Sequence, residues 1–76
     1  MKSVLVLLNT IEKVRGFVNL ISKYDGEFQL AMGGYVVDAK SIMGIFSLNL
    51  TEPLHLSVVS EDNMDNLFDK LSLYMV

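Results

Sequence analysis

The order of residues predicts an α+β open-faced sandwich: a four-stranded, mainly antiparallel sheet carrying three helices on one face. Three observations lead there. The apolar run "VLVLL" at residues 4–8 gives way to helical spacing directly after Asn9. An alternating segment and a return strand flank Gly33-Gly34, and two further helical patterns bracket a second alternating segment. The resulting order, β-α-β-β-α-β-α, contains three helices that each need an apolar surface. A sheet with one covered and one open face supplies it.

Residues 4–8 are β-rich and continuously apolar, as expected of a central strand. In "NTIEKVRGFVNLISKYDG" the residues Ile11, Val14, Val18 and Ile21 fall at helical spacing, with Phe17 beside them. Asn9 or Thr10 can cap that helix, Asn9-x-x-Glu12 resembles a capping box, and Asp25-Gly26 offers the stop. "EFQLAM" alternates Phe28, Leu30 and Met32 against Glu27, Gln29 and Ala31. Gly33-Gly34 is a two-residue hairpin turn and "YVVD" the return strand. A short helix runs from Ser41, its N-cap, to about Leu48. After Pro53, "LHLSVVS" alternates Leu54, Leu56 and Val58 with His55, Ser57 and Val59. Met64, Leu67, Phe68, Leu71 and Met75 then form an amphipathic helix led by Ser60, Glu61 and Asp62. The open sheet face is expected to carry Glu27, Gln29, Tyr35, Val37, His55 and Ser57.

The 76 residues form a single domain, 1–76, with no cysteine and therefore no disulfide or thiolate metal site. The lack of cysteine fits a reducing compartment, and a cytoplasmic location is the expectation. "MKSVLVLLN" is too short in its apolar part for a signal peptide and lacks a small-residue cleavage site. No run approaches the roughly 20 apolar residues of a membrane span. The formal net charge of −3 and the absence of a basic, aromatic-rich cluster argue against nucleic-acid binding. Glycine-rich phosphate loops and paired metal ligands are missing, and His55 is the one histidine. Neither an enzyme nor a cofactor or metal protein is expected.

The element order, together with "ISKYDGEFQLAMGGYVVDAKSIMGIFSL", resembles the histidine-containing phosphocarrier family, HPr, of the bacterial sugar phosphotransferase system. The likeness runs without gaps over about residues 22–48, with "SKYD" and "KSIMG" its most specific parts, and continues more loosely to the end of the chain. It implies the same open-faced sandwich. It also implies a phosphoryl group carried on a histidine that caps the first helix, within a Gly-aliphatic-His-Ala-Arg-Pro motif. Here those places fall on Leu8, Asn9, Thr10, Ile11, Glu12 and Lys13. Thr10 stands at the histidine position and Glu12 at the arginine position. Imidazole is both a good nucleophile and a good leaving group near neutral pH, whereas a threonine phosphate is a stable ester. A carboxylate in the first turn would also repel phosphate. The chain is therefore expected to be no phosphocarrier of the usual kind.

The resemblance further implies that Ser41 matches a regulatory phosphorylation site, used by an HPr kinase/phosphorylase and read by a catabolite-control repressor. Ile42, Met43 and Phe46 match an apolar docking patch. Phosphate on Ser41 would add about −1.5 to −2 charges at a helix start, where the helix dipole favours them. Spacing alone reads Ser41 as a cap and Ile42, Ile45 and Leu48 as core. The expected function is thus a noncatalytic, HPr-like regulator, with the kinase, the repressor or phosphotransferase-system proteins as partners. Glu12 argues against recognition by the usual repressor, because a charge reversal at an interface is costly. Two alternatives remain open. One is an atypical phosphocarrier using His55. The other is an interaction module without either phosphorylation, binding through Tyr35, Val37 and His55 on the open face.

Overall fold

The computed structural model describes residues 2–59 and 65–76. The elements follow the order β1 (Lys2–Val6), α1 (Ile11–Ile21), β2 (Glu27–Met32), β3 (Tyr35–Asp38), α2 (Ile42–Phe46), β4 (Leu54–Val59) and α3 (Asp65–Leu71). The four strands form one sheet in the order β1-β4-β2-β3, and every pairing is antiparallel. α1 packs against α2 and α3, and α2 against β3. The helices cover one face of the sheet, as an open-faced sandwich requires.

Alternation sets the layers. Phe28 and Leu30 of β2 and Leu54, Leu56 and Val58 of β4 are buried. They meet Val14, Phe17 and Ile21 of α1, Ile45 of α2, and Leu67 and Leu71 of α3 in one core. Gly33 takes φ +58° at the first central position of the β2–β3 turn, a conformation open to glycine but strained for other residues. The two-residue turn pairs Met32 with Tyr35 directly.

Several boundaries depart from the sequence expectations. β1 begins and ends two residues earlier than residues 4–8, and Leu8 is buried in the connection instead of in the strand. Thr10, not Asn9, caps α1. The third helical residue is therefore Lys13, and the Asn9–Glu12 capping box does not set the helix start. α1 stops at Ile21 with Ser22 as C-cap, before Asp25-Gly26, because the amides of Ser22, Lys23 and Tyr24 turn back onto carbonyls of the last turn. Met75 does not extend α3. It forms an antiparallel bridge with Val6, while the Leu7 amide donates to the Tyr74 carbonyl at 2.8 Å and the Val76 amide to the Leu5 carbonyl at 3.1 Å. The segment 74–76 thereby covers the outer edge of β1. Ser60, Glu61 and Asp62, expected to lead the last helix, and Met64, expected on its apolar face, lie outside the described residues.

Candidate functional site

At the start of α1, Thr10 has extended backbone (φ −136°, ψ 158°) and is exposed. Its hydroxyl accepts the Lys13 amide hydrogen at 3.1 Å and its carbonyl accepts that of Val14 at 3.1 Å. The side chain thus satisfies an amide that the helix itself leaves without a partner. Ile11, expected on the buried stripe, is instead 58% exposed, and Glu12 beside it is exposed too. The first turn lifts Ile11 away from the sheet before the stripe of Val14, Phe17 and Ile21 meets the core.

The start of α2 is held by a compact turn. The Lys40 amide donates to Asp38 Oδ1 at 2.9 Å and the Ser41 amide to the Asp38 carbonyl at 3.0 Å. Lys40 Nζ donates to the Tyr24 carbonyl at 2.7 Å and lies 5.0 Å from the centre of the Phe28 ring. This lysine ties the turn after α1 to the turn before α2 and so fixes where Ser41 sits. Periodicity does not single it out; the Asp-x-Lys pattern of a side-chain-closed turn after a strand is the signal in the sequence. Ser41 is exposed, its hydroxyl accepts the Gly44 amide hydrogen at 3.2 Å, and its carbonyl accepts that of Ile45 at 3.0 Å.

Two i, i+3 pairs then divide the five residues of α2. Ile45 is fully buried and Ile42 half-buried against the core, with Leu48 buried just beyond. Met43 and Phe46 point the other way and are 78% and 44% exposed. Of the three expected docking residues, Met43 and Phe46 are therefore on the surface, while Ile42 is shared with the core.

The expected open face needs a correction. Val37 pairs with Leu30, which is buried, so Val37 lies on the helix-covered side and packs against the core. Tyr35 pairs with Met32 and shares that side, although it is exposed near the sheet's end. The residue of β3 that occupies the open face is Val36, with Asp38. One row runs across the whole sheet there, from Leu5 through His55 and Ala31 to Val36. The next row holds Ser3, Ser57, Gln29 and Asp38. His55 is thus on the open face, as expected.

The structure brings Thr10, Glu12, Ser41, Met43 and Phe46 into the helix layer and leaves His55 on the opposite side. Among the described residues no group of three histidine, cysteine, aspartate or glutamate side chains is placed to hold a metal ion. No described helix is long and apolar enough to cross a membrane.

No protein-family model and no curated protein matches the chain. Solved structures do. HPr-C-His from Thermoanaerobacter tengcongensis superposes with a TM-score of 0.76 at 27% identity, over 95% of this chain and 92% of that one. The phosphocarrier protein HPr from Bacillus anthracis superposes with a TM-score of 0.72 at 22% identity, over 99% and 94%. Near-complete coverage in both directions means that the whole four-stranded sheet and its helices are shared. The chain thus has the open-faced sandwich fold of these HPr structures.

Proposed function

We propose that the chain is a noncatalytic, HPr-like regulatory or adaptor domain, switched by phosphorylation at Ser41 and docked through Met43 and Phe46, with Ile42 at their base. The observation that carries this reading is the cap of α1. Thr10 stands where the resemblance puts the acceptor histidine, and its hydroxyl is engaged with the Lys13 amide. Threonine offers no leaving group comparable to imidazole. Glu12, in the first turn, has the wrong sign for a phosphate site. His55 is a poor substitute on physical grounds: it lies mid-strand on the open face, opposite the described helices.

Ser41, in contrast, is an exposed hydroxyl on a braced turn, adjacent to two outward apolar side chains. A phosphate there would put charge beside a ready contact surface. That suits a switch set by an HPr kinase/phosphorylase and read by another protein, such as a catabolite-control repressor or phosphotransferase-system proteins. Since α2 has only five residues, its dipole adds little, and the phosphate would act through the partner's cations. ATP as the phosphoryl donor for Ser41 puts the proposed setting in the cytoplasm.

Intact-mass analysis and peptide mapping test this in two reactions, one with HPr kinase and ATP, the other with Enzyme I and phosphoenolpyruvate. The expected result is one acid-stable phosphate on Ser41 in the first, absent from Ser41→Ala, and none in the second. An acid-labile phosphate on His55 in the second reaction would overturn the reading and restore a carrier role.

A further inference from the structure

The open face of the sheet has a charge and apolar pattern that neither Ser41 nor α1 uses. Its central row, Leu5, His55, Ala31 and Val36, is exposed or half-exposed, and Val36 at the edge is 62% exposed. Beside that row, Glu27 and Asp38 line a depression of about 280 Å³ between β2 and β3, with Gln29 and Val36 also in its wall. At the end of the sheet, Glu52 lines a groove of about 510 Å³ that runs from His55 to Met32 and Tyr35 of the covered side. The two open-face carboxylates, Glu27 and Asp38, therefore stand together on one side of the row Leu5, His55, Ala31 and Val36.

Among the lysines and arginine whose side chains are described, none answers them. The lysines and arginine of the described residues belong elsewhere: Lys13 and Arg15 to α1, Lys23 to the turn after it, and Lys70 to α3. Lys40 is drawn onto the Tyr24 carbonyl. Such segregation of sign makes the face complementary to a cationic surface.

We propose that the open face docks a cationic amphipathic helix of a protein partner, laid along the row from Leu5 to Val36 with its lysines or arginines over the flanking carboxylates. The dimensions fit. Four adjacent strands about 4.8 Å apart give a row of roughly 14 Å, which a helix of about ten residues spans. A second copy of this face would bring more carboxylates to meet them. An anionic lipid surface would be repelled. This docking is independent of phosphorylation at Ser41 and stands or falls separately from it.

The test is a titration of the isotopically labelled full chain with a 14-residue amphipathic leucine/lysine peptide, followed by amide NMR shifts. A leucine/glutamate peptide of the same pattern serves as control. Expected are shifts at Ala31, Val36 and His55 with the lysine peptide only. Glu27→Gln and Asp38→Asn should each weaken binding about two- to fivefold, the range for one exposed ion pair. Asp69→Asn makes the same charge change on α3 and should leave affinity unchanged. Val36→Lys, at an exposed edge position that does not threaten folding, should abolish binding. Shifts confined to α1 or α2, equal loss from Asp69→Asn, binding of the glutamate peptide, or no binding at all would each overturn the proposal.

Discussion

The two capped helix starts of this protein, at Thr10 and Ser41, are built almost identically and are surrounded by very different neighbours. Each cap is an exposed hydroxyl residue in extended backbone that accepts the amide three residues on, at 3.1 Å in one and 3.2 Å in the other. Each carbonyl accepts the amide four residues on. α1, however, runs for eleven residues and buries Val14, Phe17 and Ile21, whereas α2 has five and buries Ile45 alone. Cap geometry therefore says how a helix begins and nothing about what it does. The functional difference lies in the side chains around the cap: a helix as short as α2 has almost no stability of its own, and it still presents Met43 and Phe46 to solvent.

The core anchors should break the comparison most visibly. Phe17 is fully buried and meets Tyr74 edge-on, with ring centroids 6.0 Å apart and planes at 84°. Phe17→Ala should cost about 3–5 kcal/mol, and Ile45→Ala about 2–4 kcal/mol because its side chain is smaller. Urea unfolding of both variants measures the difference. An equal or larger loss at Ile45 would mean that the turn around Ser41 carries more of the fold than α1 does.

Each helix also contains a glycine, and the two should respond differently to alanine. A Cβ on Gly16 would overlap the Tyr74 hydroxyl, while one on Gly44 would lie 3.3 Å from Val37 Cβ and 3.4 Å from Ser41 Oγ. Alanine gains roughly 1 kcal/mol of helix propensity at either site. At Gly16 the collision outweighs it, and Gly16→Ala should lose about 1–2 kcal/mol. At Gly44 the two effects should nearly cancel. Adding Tyr74→Phe to Gly16→Ala removes the colliding oxygen and should restore most of the loss, a double-mutant cycle readable in thermal unfolding.

Tyr74 also marks the limit of what the sequence reveals. Strands with strict alternation were legible: "EFQLAM" and "LHLSVV" have their inward residues where period two puts them. "YVVD" has no alternation, so its side chains alone do not set its face. The turn held the answer, since a two-residue loop makes its flanking residues a pair. Met32 inward then forces Tyr35 and Val37 to the covered side and Val36 outward. The bridge from Met75 to Val6 had no such signal, because pairing between the two ends of a chain depends on tertiary placement and not on any local period. At the site, both caps were readable from hydroxyl residues ahead of helical spacing. Which of Ile42, Met43 and Phe46 would be exposed was not, because five residues cannot define a stripe until the helix has a neighbour.

Removing the caps should have a smaller effect than either core change. Thr10→Ala should cost about 1 kcal/mol and Ser41→Ala about 0.5–1 kcal/mol, since the turn at Ser41 keeps the hydrogen bonds from Lys40 to Asp38 and Tyr24. Thr10→Asp retains an acceptor and should recover most of the first loss. Thermal unfolding checks all three. A Ser41→Ala variant that unfolds outright would remove this substitution as a test of phosphorylation.

The smallest stability effects belong to the outward apolar residues, and there the two helix starts can be compared most directly. Met43→Ala and Ile11→Ala each trim a largely exposed side chain and should leave stability within about 0.5 kcal/mol of the parent. Their effects on function should diverge. If the kinase reads α2, loss of Met43 should slow Ser41 phosphorylation about tenfold, the effect of removing one well-packed interface residue. Loss of Ile11 should leave that rate unchanged, because α1 then contributes only a scaffold. Equal slowing by both would show a docking surface that spans the two helix starts, with α1 part of the recognised surface and not only a scaffold.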